Sequence, residues 1–433
     1  MTGRIIYHLF PLGAMGGSSA PSVWAAWGEY LQQLGVNTVL LGPVLTSMSH
    51  GYDIVDYYHL DPRLGDNAMF ERVAKDLKAK GLDILLDAVF HHVGRDFFAF
   101  QDVLKNRKSS LYADWFFLRF DQNNGYGDAL SYENWEGHDS LVKLNLQNQS
   151  LRDHLFGAVR QWMHQWGIKG LRLDVGYSLL PAFVRELKAI CTAIDPDFFI
   201  VGEAIHGDYR PFLLDMNSVT NYECYKGLFS SFNDRNFFEI AFSLNRLFGE
   251  HGLYQGQRLL NFVDNHDVDR IASTLHEARH LYPLYLLLFT MPGTPSIYYG
   301  GEWGIEGKKG MHDDHALRPI VDIEAISATV QGSPQYAFIK KLIALRQRFD
   351  VLSTGDYRQL FVASEQFGFI RQTGTSVVII LLNMADHPVQ ESLSARGLSG
   401  TYLDVLNNDE SIEANQPFTL YPSWGKILVL SCS

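Results

Sequence analysis

Residues 170–203 read GLRLDVGYSLLPAFVRELKAICTAIDPDFFIVGE, and they hold one complete strand–helix–strand unit. Gly170 to Asp174 reads as a strand, Pro181 to Ile194 as a helix, and Phe198 to Gly202 as the next strand. The same rhythm runs outward in both directions. Upstream come a strand at Arg4 to Phe10, a helix at Pro21 to Leu34 ending at Gly35, and a strand at Asn37 to Leu41. A helix at Asn67 to Lys80, stopped by Gly81, precedes a strand at Asp83 to Val89. A helix at Leu151 to Trp166 leads into the quoted unit. Downstream, Leu259 to Val263 and Ser296 to Tyr299 read as strands, with a weaker one near Thr220 to Tyr222. Repeated βα units imply a parallel sheet, and eight of them predict a closed (β/α)8 TIM barrel. No glycine-rich phosphate loop follows the first strand, so the alternative of an open doubly wound sheet lacks its usual mark.

Two segments break the rhythm. Residues 93–149 separate the third strand from its helix and are rich in Asp, Asn, Gly and aromatics, as in DQNNGYGDALSYENWEGHD at 121–139. An insertion of that length on a compact domain usually carries function. Beyond about residue 350 the pattern turns all-β, with SVVIILLN at 376–383 and GKILVLS at 425–431. The expected division is a catalytic barrel over 1–92 and 150–352, an inserted loop domain over 93–149, and a C-terminal antiparallel β-sandwich over 353–433. The apolar run ending at Met291 reads as a core helix.

The formal net charge of −12 argues against nucleic-acid and anionic-membrane partners, which need a basic footprint, and is compatible with a neutral ligand such as a sugar. Aromatics make up 13% of the chain, which suits stacking on sugar rings as well as an ordinary core. Cys191, Cys224 and Cys432 are too few and scattered for a disulfide framework or a metal cluster. The N-terminal MTGRIIYHLFPLG has no long apolar stretch with a cleavage site, and no run is long enough for a membrane span. The expectation is a soluble, cytoplasmic protein.

In barrel enzymes the catalytic groups stand at the carboxyl ends of the strands. Four strand ends here carry polar clusters that a packed core would reject. The third places Asp87, His91 and His92; the fourth Arg172 and Asp174; the fifth Glu203; the seventh Asp264, Asn265, His266 and Asp267. Arg172 and Asp174 are two apart on a strand and share a face. A guanidinium beside a carboxylate favours its ionised form, so Asp174 is expected to be a carboxylate ready to attack. Glu203 stands on the adjacent strand, about 4.7–4.9 Å away. That spacing suits the roughly 5–5.5 Å carboxyl separation of a retaining glycosidase. Close negative neighbours should keep a proton on Glu203, making it a general acid, and Asp267 adds charge near an oxocarbenium-like transition state. A zinc centre drawn from His91, His92, Asp174, Glu203 and His266 is the rival use of these groups. It lacks HxH or HExxH spacing, and Arg172 is a poor neighbour for a cation.

The motifs DAVFHH (87–92), GLRLD (170–174), VGEAI (201–205) and FVDNHD (262–267) occur in that order, with HGYDIVDYYHLDPRLGD at 50–66 upstream and PGTPSIYYG at 292–300 downstream. Together they closely resemble the α-amylase family, glycoside hydrolase family 13, from the first strand to about residue 350. The resemblance implies Asp174 as nucleophile, Glu203 as acid/base and Asp267 as transition-state stabiliser. It makes Arg172 the residue that orients the nucleophile, and gives His92 and His266 to the hydroxyls of the sugar at the cleavage point. Tyr52 resembles the aromatic platform under that sugar, followed by Asp53 as in the family. Asp314 and Arg318, in DDHALRP, resemble the pair contacting the next sugar outward. Trp135 is expected to wall the cleft, and His206, Tyr209 and Asn221 to line acceptor-side subsites.

VGRDF at 93–97, LVKLNLQN at 141–148 and MPGTPSIYYGGEWG at 291–304 resemble the cyclomaltodextrinase and neopullulanase branch. Its intracellular members act on cyclodextrins and short malto-oligosaccharides, and often carry an N-terminal β-domain that helps form a dimer. This sequence opens at the first barrel strand, so an expected homodimer would form without that domain. Where many members have Asn-His, with the asparagine a calcium ligand, this chain has His91-His92. The Lys-His pair often found after the nucleophile is replaced by Tyr177-Ser178. No cofactor is expected, and no calcium at the usual site. The implied function is a retaining α-glucoside hydrolase of short or cyclic malto-oligosaccharides, on α-1,4 or α-1,6 bonds or both. A transglycosylase of the same fold is the alternative, and a non-catalytic transporter-subunit-like protein the remote one.

Overall fold

Short runs of β-branched residues and leucine supply the eight strands of one parallel sheet. They are β1 (Ile6–Leu9), β2 (Thr38–Leu41), β3 (Asp83–Ala88), β4 (Gly170–Leu173), β5 (Phe199–Gly202), β6 (Ser218–Val219), β7 (Leu260–Asn261) and β8 (Thr294–Tyr298). The computed structural model describes residues 3–311 and 314–431. Successive strands pair in parallel, and β8 returns to β1 with Ile6 opposite Ser296. The seam between β6 and β7 is closed by a single bridge between Thr220 and Leu260, where the Asn221 N–H donates to the Leu260 carbonyl at 2.9 Å. The ring is a nearly closed (β/α)8 barrel. The sixth strand ends at Val219 and does not reach Tyr222 as the sequence reading expected. The reason is local: the Asn221 side chain accepts from the Cys224 N–H and caps the next helix.

The helices that matter for the site are α1 (Pro21–Leu34), α2 (Asn67–Ala79), α3 (Gln149–Gln161), α4 (Pro181–Ile194), α5 (Tyr222–Asn233), α6 (Phe238–Phe248) and α7 (Leu281–Thr290). Proline at the first turn starts α1 and α4, where the missing N–H costs nothing. Gly35, at φ 94°, ends α1. Asp66 caps α2 and Asn148 caps α3, so α3 begins two residues before the apolar pattern does. Its last turn, Trp162–Trp166, widens to a π-turn before Gly167.

The barrel interior is packed by Ile6, Leu40, Leu85, Val201 and Leu260. Side chains two residues further along share the same face. That step carries β1 from Ile6 to His8, β3 from Leu85 to Asp87, and β5 from Val201 to Glu203. Period two therefore stacks a polar layer directly on the apolar one, at the carboxyl ends of the strands.

Between β3 and α3 the chain forms a three-stranded antiparallel sheet from His92–Gly94, His138–Lys143 and Asn134–Trp135. Beyond residue 355 a six-stranded antiparallel sheet runs in the order Asp356–Val362, Gln366–Gln372, Val377–Asn383, Trp424–Leu430, Thr401–Asp404, Glu410–Glu413. Both faces are buried. Phe369, Val378, Ile380 and Ile427 join the barrel's outer core through α7. Ile379, Leu381 and Leu428 pack instead under the two-stranded ribbon Val389–Glu391 and Phe418–Leu420. Cys191 and Cys224 are buried free thiols; Cys432 lies outside the described residues.

Candidate active site

Register brings the first charges together. Arg172 on β4 lies opposite Asp87 on β3 and Val201 on β5. Its guanidinium meets both oxygens of Asp87 at 2.9 Å. The same Nη1 holds Asp174 Oδ1 at 2.8 Å, and Nη2 holds Glu203 Oε1 at 2.8 Å. The two carboxyl groups thus occupy neighbouring prongs of one buried fork, which fits bidentate recognition by arginine better than a lysine would. One cation faces three carboxylates, and all four side chains are nearly inaccessible.

That burial weighs on the charges of the site. Burial and the charges of Glu203, Asp87 and Asp267 push the Asp174 carboxyl well above the usual range, although Arg172 pulls it down. Arg172 does favour the ionised form, as the sequence suggested, but it is one cation shared by three carboxylates. Asp267 goes the other way. Burial works against its charge, but His266, Arg172 and Arg318 hold it well below the ordinary carboxylate range. Its side chain is 36% exposed, on the open side of the site.

The backbone after Asp174 helps to set this geometry. Val175 takes φ 48°, a left-handed conformation that is unusual for a β-branched residue. Its N–H then donates to Glu203 Oε2 at 2.9 Å. Gly176 follows at a point where a Cβ would stand 2.9 Å from the Glu203 backbone nitrogen and oxygen.

Tyr52 and His266 form the opposite wall. Their rings stack at 5.2 Å with an interplanar angle of 11°. The Tyr52 hydroxyl donates to Asp87 Oδ2 at 2.9 Å and lies 2.5 Å from His266 Nε2. The same Nε2 is 3.0 Å from Asp267 Oδ2. Both neighbours of Nε2 act as acceptors, so the proton belongs on that nitrogen. Phe10 extends the stack to Tyr52 and His266 on one side and to the Arg318 guanidinium, 4.7 Å above it, on the other.

The remaining predicted residues fall around this wall. Arg318 pairs with Asp314 at 2.9 Å and approaches Asp267 Oδ1 at 3.6 Å, so this pair belongs to the site's rim. Asp53 turns away from the centre and accepts from Ser49 Oγ at 2.6 Å, bracing the loop that presents Tyr52. His92 and His91 face each other through their Nδ1 atoms at 3.2 Å. Burial, then the neighbouring ring, pushes His92 down to about 3, so it is neutral at physiological pH. Trp135 reaches from the inserted sheet to within 5.9 Å of the His92 ring. His206 and Tyr209 line a cleft beyond Glu203. Asn221 does not: it is fully buried, donates to Asn261 Oδ1 at 2.8 Å and caps α5. The reading that assigned it to substrate is corrected by that capping role.

Sequence reasoning passed over three neighbours. His8, at the end of β1, packs edge-on against His266 at 5.3 Å. Phe10 carries no polar signal at all. Tyr222, the first residue of α5, accepts from Asn265 Nδ2 at 3.2 Å. Only His8 was findable, as a buried polar residue two positions after a core isoleucine.

As for metals, His91 offers nitrogen where calcium takes oxygen ligands, and its Nδ1 is directed at His92. Among the described residues no group of three His, Cys, Asp or Glu side chains is set to hold a metal ion, and no helix is long and apolar enough to cross a membrane.

A charged layer of this kind, seated on the core at the carboxyl ends of a TIM barrel, defines the class: a glycoside hydrolase. A model of the α-amylase catalytic domain matches residues 28–325. Neopullulanase 2 of Thermoactinomyces vulgaris is 32% identical over 413 residues, 92% of this chain and 68% of that protein. A cyclomaltodextrinase of Bacillus sp is 29% identical over 368 residues, covering 82% of this chain and 64% of the other. The chain spans about two thirds of the length of these relatives. A solved structure of a cyclomaltodextrinase superposes with a TM-score of 0.85 at 26% identity, over 98% of this chain and 78% of that one. The chain belongs to the α-amylase family, glycoside hydrolase family 13.

Proposed function

We propose that this chain hydrolyses short or cyclic malto-oligosaccharides at α-1,4 bonds, α-1,6 bonds included where they meet the same site, and keeps the anomeric configuration. The observation that carries the reading is the Arg172 fork, with Asp174 and Glu203 on adjacent prongs at 2.8 Å each. Neighbouring carboxyl groups suit a double displacement, whereas inversion needs a gap of roughly 6.5–9.5 Å for water. In this reading Glu203 acts as the acid when the substrate enters. Asp174 attacks the anomeric carbon, and Glu203 protonates the departing glycosidic oxygen. Glu203 then takes a proton from water, which releases the sugar from Asp174. Asp267, the carboxylate held charged, stabilises the oxocarbenium-like transition state.

Tyr52 stacks beneath the sugar at the cleavage point. His266 and the His92 Nε2, the latter buried without a hydrogen-bond partner, serve its hydroxyls. Asp53 holds the Tyr52 loop, Asp314 and Arg318 contact the next sugar, and Trp135 walls the cleft from an inserted domain over 93–149. The similarity to a neopullulanase and a cyclomaltodextrinase supports the substrate class. The test is a product profile by proton NMR on maltotriose, cyclodextrins, pullulan and isomalto-oligosaccharides. α-Anomers should appear first, and Asp174→Ala should lower kcat by about 10⁴-fold or more. Initial release of β-anomers would sink the retaining mechanism.

A further inference from the structure

Three buried charged side chains take no part in the Arg172 fork: Asp264, Arg270 and Glu302. The first two close the loop that follows β7. Asp264 Oδ2 accepts from the Ile271 N–H at 3.0 Å, and Arg270 Nη1 lies 4.0 Å from the same oxygen. Between these ends the Asn265 side chain accepts from the N–H groups of Asp267 and Val268, at 2.8 and 3.2 Å. His266 and Asp267 are therefore presented by a loop fastened at both ends. Arg270 also reaches the site through rings. Its guanidinium lies 4.1 Å from the centre of the Tyr298 ring, Tyr298 packs at 5.1 Å on His8, and His8 meets His266 edge-on at 5.3 Å.

Direct bonds do not complete this clasp. Arg270 Nη1 donates to the Tyr299 carbonyl at 2.8 Å, but Nε and Nη2 are buried with no hydrogen-bond partner among the described residues. The same holds for Asp264 Oδ1, the Tyr285 hydroxyl and Glu302 Oε2. Tyr7 and Tyr30 both donate to the other Glu302 oxygen, at 2.7 Å each. A Cβ on Gly301 would stand 2.6 Å from the Tyr285 hydroxyl and 3.8 Å from Asp264 Oδ1, so those two orphaned oxygens flank the same bare backbone. Buried polar atoms are costly when unpaired, and ordered water commonly satisfies them. The guanidinium nitrogens only donate, the carboxylate oxygens only accept, and the tyrosine hydroxyl does both. An anion would serve the first and repel the second, and a cation the reverse. Water serves both.

We propose that Asp264 and Arg270 are positioning residues for His266 and Asp267, and that buried water joining them to Tyr285 and Glu302 completes the clasp. The role in catalysis rests on the hydrolase reading above. It differs from the role of Arg172, which touches the reacting carboxylates directly. Asp264 acts at a distance, by fixing the loop from which Asp267 meets the developing positive charge.

The experiment has a structural and a kinetic arm. A crystal structure of the unaltered protein should show water bonded to Asp264 Oδ1 and to the Tyr285 hydroxyl. A dry space there, or an ion revealed by anomalous scattering, overturns the hydrated clasp. The kinetic arm compares Asp264→Ala with Asp264→Asn, which keeps an acceptor for the Ile271 N–H. In the alanine variant kcat on maltotriose should fall by about 10–100-fold, with KM within about two-fold of the parent. The Ki of 1-deoxynojirimycin, a cationic iminosugar that mimics the charge of the transition state, should rise about ten-fold. Asparagine should recover part of both losses. A purely structural role would leave fewer folded molecules with KM and Ki unchanged, so an unchanged Ki, or no recovery by asparagine, overturns the positioning role. Tyr285→Phe removes one partner of the water and little bulk, and should lower kcat by about two- to five-fold in the same pattern. It keeps the test standing should Asp264→Ala fail to fold, and a kcat equal to the parent's would overturn the water link. If the unaltered protein cleaves no α-glucan, the hydrolase reading itself fails, while the crystal structure still decides the clasp.

Discussion

Arg172 and its carboxylates set the terms at the scale of single residues. A guanidinium with only 4% of its side chain exposed is shared by Asp87, Asp174 and Glu203. Such a cluster costs stability when its charges are not balanced, and at an active site that cost is part of function. Asp174 is the member pushed upward, by burial first. A carboxyl whose folded pKa lies above its unfolded value binds its proton more tightly when folded. Its contribution to stability is complete below the unfolded value of about 3.9, and is lost as pH rises through the folded one. Asp174→Asn removes that loss while leaving Arg172 paired with Asp87 and Glu203. The variant should therefore gain on the parent as pH rises from about 4 to about 7, reaching about 1–2 kcal/mol. Thermal melts across that range check it. A difference in Tm that stays flat with pH would mean that the Asp174 carboxyl is not under strain in the folded site.

Among the elements, the β4 turn carries the tightest constraint. Leu173 hands over to Asp174, Val175 enters the left-handed region, and Gly176 passes within contact of the β5 backbone. Alanine at 176 would have to displace backbone, since its Cβ meets Glu203 nitrogen and oxygen at 2.9 Å. Gly176→Ala should lower kcat by roughly 10–100-fold through displacement of Glu203. The KM on maltotriose should change less than kcat, and a kcat within two-fold of the parent would show that the turn can give. Much of this level was legible in the sequence. Proline starts, glycine stops and β-branched runs located α1, α4 and seven strands to within a few residues. The acids at strand ends were legible too, because charge two positions beyond a core residue on a barrel strand has little other use. What stayed hidden depends on cross-strand partners. The bond from Arg172 to Asp87 spans 85 positions in the chain, and its geometry follows only from the register of β3 against β4. Tyr222 was read as strand because Asn221, although a favoured helix N-cap, was not taken as one. The upward push on Asp174 is a sum over burial and three distant acids, which no spacing encodes.

The whole molecule is held together across the junction between barrel and C-terminal sheet. α7 is buried along nearly its full length, with the barrel on one side and the sheet on the other. The inner face of that sheet belongs to the same apolar cluster as the barrel's helices. Two buried arginines brace this junction through backbone carbonyls, Arg346 within the barrel and Arg371 across the seam. Arg346 donates to the carbonyls of Phe289 and Gly293. Arg371, on the sheet, donates to Thr290 at 2.7 Å, Leu352 at 2.8 Å and Gly355 at 2.7 Å. Thr290 closes α7 and Gly355 begins the sheet, so one side chain ties both. Burial depresses the Arg371 pKa to about 9, a penalty that its three carbonyl acceptors offset in part. Arg371→Met removes the cation and strands three buried carbonyls. Each orphaned acceptor costs about 1–3 kcal/mol, and relief of the buried charge returns part of it, for a net loss of about 2–4 kcal/mol. A shared core makes barrel and sheet unfold as one unit, so calorimetry should record a single transition that moves down intact in the variant. Two transitions, of which only one shifts, would mean that the sheet is a separate folding unit and that Arg371 does not couple it to the catalytic barrel.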